Sequence, residues 1–140
     1  MKPNDTEPQP TKSATTILVV DDNPINLKLV SDLLAFEGYR VQKAVDGEVA
    51  AASVQEDLPD LILLDVDLPG IDGLTLTKKL KGDPRTADVI IVALTAFAMK
   101  ADRQRAIAAG CDAYVTKPIN TRELPVQLAD LLQRREKAKT

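Results

Sequence analysis

Asp21-Asp22, Asp65, Thr95 and Lys117 each stand at or just beyond the end of a short apolar run. The runs are Ile17-Leu18-Val19-Val20, Leu61-Ile62-Leu63-Leu64, Val89-Ile90-Ile91-Val92-Ala93-Leu94 and Ala113-Tyr114-Val115-Thr116. Brought together, these side chains are the equipment for moving a phosphoryl group. Asp65 would attack phosphorus and form an acyl phosphate. Asp21 and Asp22 would hold Mg²⁺ beside Asp65, because a hard cation prefers carboxylates and water. Lys117 and the Thr95 hydroxyl would bind phosphoryl oxygens as charge develops. Each residue alone has a plainer role: Asp65 as a turn former, Thr95 as a strand terminus, Lys117 as a surface lysine. Only their convergence carries the chemistry.

The elements that must position them follow from the same runs. Unbroken β-branched and aliphatic stretches mark strands buried on both faces. Helical patterns lie between them, so the strands should be parallel, with all carboxyl ends at one edge. That edge is where open α/β sheets bind ligands. Strands are expected at Thr16–Val20, Arg40–Ala44, Leu61–Asp65, Val89–Leu94 and Ala113–Thr116. Helices are expected from Asn23-Pro24 to Gly38, over Gly47–Gln55, Gly73–Lys81 and Met99–Ala109, and last to about Arg135. Asn23 before Pro24 reads as an N-cap with proline at the first helical position, and Gly38 and Gly110 as helix stops. In the final helix, Asn120 and Glu123 form a cap signal, but Pro125 follows too soon for a regular ladder. An irregular first turn is expected there, with regular helix from near Leu124.

Because Asn23 already supplies the cap, Asp21 and Asp22 are left over at the end of a buried strand. If they approach Asp65, each pair of like charges at 4 Å costs about 4 kcal/mol at an effective dielectric near 20. A cation removes that repulsion.

Composition narrows the field. A chain of 140 residues with 44% hydrophobic content suits one domain. It divides into a disordered tail over 1–15, a domain over 16–136 and a short tail over 137–140. A net charge of −3 argues against a nucleic-acid surface. No apolar stretch approaches a membrane span, and no signal-peptide pattern opens the chain. The single Cys111 fits a small buried hydrophobe in a reducing cytoplasm. There is no histidine, which excludes Ser-His-Asp chemistry and His-rich zinc sites.

The segments VVDDNPINLKL, LILLDVDLPGIDG, VALTAFA and AYVTKPI, in that order, resemble the receiver (CheY-like) domain of two-component response regulators. The stretch from Thr95 to Ile119 resembles most the single-domain regulators of the DivK type and the receivers of hybrid histidine kinases. The resemblance implies a flavodoxin-like (βα)5 doubly wound sheet in the order 2-1-3-4-5. It implies that Asp65 takes its phosphoryl group from a phosphohistidine on a histidine kinase or histidine phosphotransfer protein. It also implies that the Asp67 backbone carbonyl joins the metal site, that Thr95 and Tyr114 form a switch pair, and that Lys117-Pro118 is a cis peptide. Asp67 departs from the family pattern, where Met or Asn often stands two residues after the acceptor.

Two other readings remain at this point. Asp65-Val66-Asp67 also resembles the DxD motif of haloacid-dehalogenase-type phosphatases. There, however, that motif comes first and the second acidic pair last, the reverse of the order here. A phosphorylation-independent pseudo-receiver would not need the complete acidic set. Dinucleotide and NTP binding lack their glycine and lysine motifs. With no output domain after Arg135, signalling is expected through a partner protein on the α4-β5-α5 face, the protein itself being a monomer or weak dimer that binds neither nucleic acid nor membrane. It is expected to catalyse only its own phosphorylation and dephosphorylation.

Overall fold

Alternate residues of the inner strands face opposite layers, which is why their apolar runs are continuous. Ile17, Val19, Leu61, Leu63, Val92 and Leu94 point into one core with Leu27, Val30 and Leu34, and with Leu124 and Leu128. Leu18, Val20, Ile62, Leu64 and Ile91 point into the other, against Ala50, Val54, Leu76 and Leu80. Burying both faces of a strand demands helices on both sides and leaves no place for alternating polar residues.

A computed structural model describes residues 15–66, 73–96 and 100–139. Its elements run β1 (Thr16–Val20), α1 (Pro24–Phe36), β2 (Arg40–Ala44), α2 (Gly47–Glu56), β3 (Leu61–Asp65), α3 (Gly73–Lys81), β4 (Ile90–Thr95), α4 (Lys100–Ala109), β5 (Ala113–Thr116) and α5 (Glu123–Lys139). The sheet is parallel throughout, in the order β2-β1-β3-β4-β5. This is the flavodoxin-like fold that the resemblance implies. With β1 and β3 adjacent, Val20 pairs with Leu64, so Asp21 and Asp65 leave neighbouring strands at the same level.

The local signals act as read. The Asn23 side chain accepts hydrogen bonds from the Ile25 and Asn26 amides, with Pro24 opening α1. Gly38 and Gly110 end their helices at φ 103° and 108°, a region that suits glycine alone. Several boundaries shift. β4 begins and ends one residue later than expected, because the Val89 amide closes a turn onto the Thr86 carbonyl and so does not join the ladder. α5 begins at Glu123: the Leu124 amide reaches Asn120, but Pro125 has no N–H to give Thr121. α5 also continues past Arg135 to Lys139, into the stretch read as a tail. Arg135 lies within it, held by Asp60 through the Asp60 carbonyl at 2.8 Å and carboxylate at 2.8 Å. The expected tail lies outside the described residues except for Thr15, whose carbonyl accepts from Arg40.

Candidate functional site

Each strand end delivers one part of the site. Asp21 follows β1 directly. Its amide donates to the Ala44 carbonyl of β2 at 3.1 Å, and its Oδ1 accepts from the Asn23 amide at 2.8 Å, so the turn into α1 fixes the carboxylate. Asp22 is exposed, and only Asp21 continues the buried line of the strand. Asp65 ends β3 and is 1% exposed. One oxygen from each of Asp21, Asp22 and Asp65 lies within 4.8 Å of the others.

The ammonium comes from the far side. Lys117 Nζ donates to Asp65 Oδ2 at 2.8 Å. The Lys117 amide donates to the Thr95 carbonyl at 2.7 Å, so the end of β4 holds the base of the lysine, and the Lys117–Pro118 peptide is cis. Thr95 is buried at the end of β4, one residue beyond the partner of Asp65. Tyr114, half-buried on β5, shares a small cavity with Thr95. Asp67 lies outside the described residues, as do the Pro69-Gly70 turn and Met99.

Gly73 does more than start α3, a role that its local sequence does not show. A Cβ there would stand 2.7 Å from Val66 Cα and 2.8 Å from the Asp65 carbonyl oxygen. The bare backbone lets α3 begin against the chain leaving Asp65.

The electrostatics fit a divalent cation. Asp21 Oδ2 is buried and has no hydrogen-bond partner among the described residues. Burial holds the Asp21 carboxyl above its ordinary value of 3.8, with the Asp65 and Asp22 charges adding to it; the Asn23 amide and Lys117 work the other way. An unpaired buried oxygen flanked by two carboxylates is a donor set of the kind a hard cation prefers.

This predicts a stability effect with a definite sign. A carboxyl whose value is raised on folding favours the folded state below 3.8 and loses that contribution as pH rises through the raised value. At neutral pH, therefore, Asp21 opposes folding in metal-free protein. In Asp21→Asn, Oδ1 can still accept from Asn23, while the amide NH₂ can donate toward its carboxylate neighbours. Chemical unfolding in EDTA at pH 7 should show a gain of about 1–2 kcal/mol. The gain should shrink toward pH 4. A loss of stability would mean that Asp21 is already satisfied without a cation.

Residues 17–129 match the family model of the response regulator receiver domain. The polar-differentiation response regulator DivK of Brucella anthropi is 42% identical over 105 residues, covering 75% of this chain and 85% of that protein. A CheY-like response regulator receiver domain protein from Methanospirillum hungatei superposes with a TM-score of 0.83 at 30% identity, covering 89% of this chain and 98% of that one. The receiver domain of a sensor histidine kinase from Pseudomonas aeruginosa, solved with a magnesium ion coordinated in its active-site cleft, gives a TM-score of 0.74 at 37% identity. It covers 86% of this chain and 95% of that one.

Proposed function

The chain belongs to the response regulator receiver domain family, and on that premise we propose that Asp65 is the residue that accepts the phosphoryl group. The protein is a phosphorylation-dependent signalling module. The observation that carries the assignment to Asp65 is its position: a buried carboxylate, tied to Lys117 and facing Asp21 and Asp22.

Asp21, Asp22 and Asp65 would hold Mg²⁺, with the Asp67 carbonyl as a further donor. When bound, the ion supplies the positive charge that lets an anionic nucleophile approach an anionic phosphoryl group. Asp65 attacks phosphorus as the P–N bond to the donor's imidazole breaks, the electron pair leaving with the ring nitrogen. Lys117 and Thr95 receive the phosphoryl oxygens. Hydrolysis of the resulting acyl phosphate by water at phosphorus releases inorganic phosphate and returns the free Asp65 carboxylate. As Thr95 moves toward the phosphoryl group, Tyr114 turns inward toward the space beside it, and the α4-β5-α5 face changes for a partner.

Family members take phosphate from histidine kinases; for this chain, a surface for such a donor adjoins the acceptor. Ile25 is 77% and Leu29 45% exposed on α1, and a groove lined by Asn26, Leu29, Ala96, Lys117, Pro118 and Ile119 runs beside them. A protein carrying a phosphohistidine can cover this apolar strip while its imidazole reaches Asp65. Leu29→Asp should slow transfer from a phosphorylated histidine phosphotransfer protein by roughly tenfold. Phosphorylation by acetyl phosphate, which needs no protein surface, should be nearly unchanged. Equal loss with both donors would mean that Leu29 supports the site itself; no loss with either would place the donor elsewhere.

No helix among the described residues is long and apolar enough to cross a membrane.

A further inference from the structure

Tyr114 stands between two spaces. On one side it closes a cavity of about 30 Å³ whose other walls include Thr95, Asp102, Arg105 and Ala106. On the other it borders an open groove with Arg103, Glu123 and Gln127. The Arg103 guanidinium lies over the ring, 5.7 Å from its centroid. That is within the roughly 6 Å over which a cation is attracted to an aromatic face. Arg103 forms no salt bridge among the described residues, whereas Arg105 on the same helix pairs with Asp102.

The helix that carries these residues is lightly seated. α4 buries only Ala106 and Ala109, while α1 buries Leu27, Val30, Ser31 and Leu34. Burial free energy follows apolar area, so two alanines hold a helix weakly. A 30 Å³ cavity has room for about one or two waters and cannot take a phenol ring. The ring enters only if walls give way: Thr95, which the switch itself moves, Val66 and Leu74 form part of them, and Asp102, Arg105 and Ala106 form the α4 side. Inward movement of Tyr114 is therefore expected to press on α4, and Arg103 bridges the ring and that helix.

We propose that Arg103 is a positioning residue that clamps the Tyr114 ring to α4, outside the cavity beside Thr95, and so sets how readily the switch is thrown. The proposal rests on the reading that Tyr114 moves in concert with Thr95. Its contribution is differential: the cation–π contact belongs to the arrangement with the cavity open and is given up when the ring enters. Removing it raises the response of the site to a phosphoryl group without touching the residues that bind one.

The test is an NMR titration of the full chain with beryllofluoride in the presence of Mg²⁺, following the Tyr114 ring and the α4 amides. Wild type, Arg103→Ala, Arg103→Lys and Gln104→Ala are compared, the last as a control for helix propensity. Arg103→Ala should reach its midpoint at a beryllofluoride concentration roughly two- to fivefold below wild type, the range a contact of this kind supplies. Arg103→Lys keeps the cation and should stay near wild type, as should Gln104→Ala. A midpoint in Arg103→Ala equal to or above that of wild type, or an equal shift in Gln104→Ala, would overturn the clamp. If saturating beryllofluoride shifts Asp65 but leaves Tyr114 unmoved in wild type, the switch fails and the clamp with it. If Tyr114 moves equally readily in wild type and Arg103→Ala, only the clamp fails.

Discussion

Asp65→Asn is expected to remove phosphorylation completely. With acetyl phosphate and Mg²⁺, intact mass spectrometry should show one added phosphoryl group on the wild-type chain and none on the variant. The amide is close in shape to the carboxylate, so Lys117, Asp21 and Asp22 keep their surroundings while the nucleophilic oxygen is lost. Among the described residues no second carboxylate stands in the same position: Asp21 is held by the Asn23 amide and Asp22 is exposed to solvent. EDTA should suppress the adduct on wild type equally well, because without a cation three carboxylates within 4.8 Å repel the incoming anion. An adduct that survived in Asp65→Asn would move the acceptor elsewhere, and full labelling in EDTA would remove the metal from the account.

Lys117→Ala should have the second-largest effect, and on two observables. Lys117 is the cation hydrogen-bonded to the nearly inaccessible Asp65 carboxylate, with its own side chain 22% exposed. Truncating one partner of a buried pair leaves the other charge uncompensated. In EDTA the variant should lose about 2–3 kcal/mol of unfolding free energy, somewhat less than a fully buried pair costs because Lys117 retains some solvent. Mg²⁺ should restore a large part of it, since the remaining repulsion is among carboxylates. Phosphorylation by acetyl phosphate should fall about a hundredfold even with Mg²⁺ saturating, because a preorganised donor to developing charge is gone. A variant as stable as wild type in EDTA, or one labelled at the wild-type rate, would show that the ion pair has neither role.

These expectations rest on residues that the sequence exposed unequally. The strand ends were legible because burial on both faces forces an apolar run, and a polar residue can appear only where the run stops. Asp21, Asp65, Thr95 and Lys117 were visible for that reason. Asn23, Pro24 and Gly38 were visible because caps act over a few residues. Contacts between distant segments leave no such local mark. Asp60 and Arg135 are 75 positions apart, and Lys81 reaches Asp112 and the Val89 carbonyl from another element. The later start of β4 depends on a hydrogen bond at Val89, whose side chain is as apolar as those of its neighbours. The Arg103–Tyr114 contact could not be read either: an arginine on an exposed helix face has many possible partners, and only the packing of α4 beside β5 selects the ring. Asp22 was grouped with Asp21 by adjacency, yet the turn into α1 buries one and exposes the other.

On the proposed function, a single carboxylate, at Asp65, takes the phosphoryl group. The most direct measurement is to phosphorylate the wild-type chain, cleave the acyl phosphate reductively with borohydride, and map the product by peptide sequencing in a mass spectrometer. Reduction converts the phosphorylated aspartate to homoserine and leaves free carboxylates unchanged. The predicted result is homoserine at position 65 alone, dependent on Mg²⁺ during phosphorylation. Homoserine at position 21 or 22, or an unmodified position 65 in protein that carries the added phosphoryl mass, would contradict it.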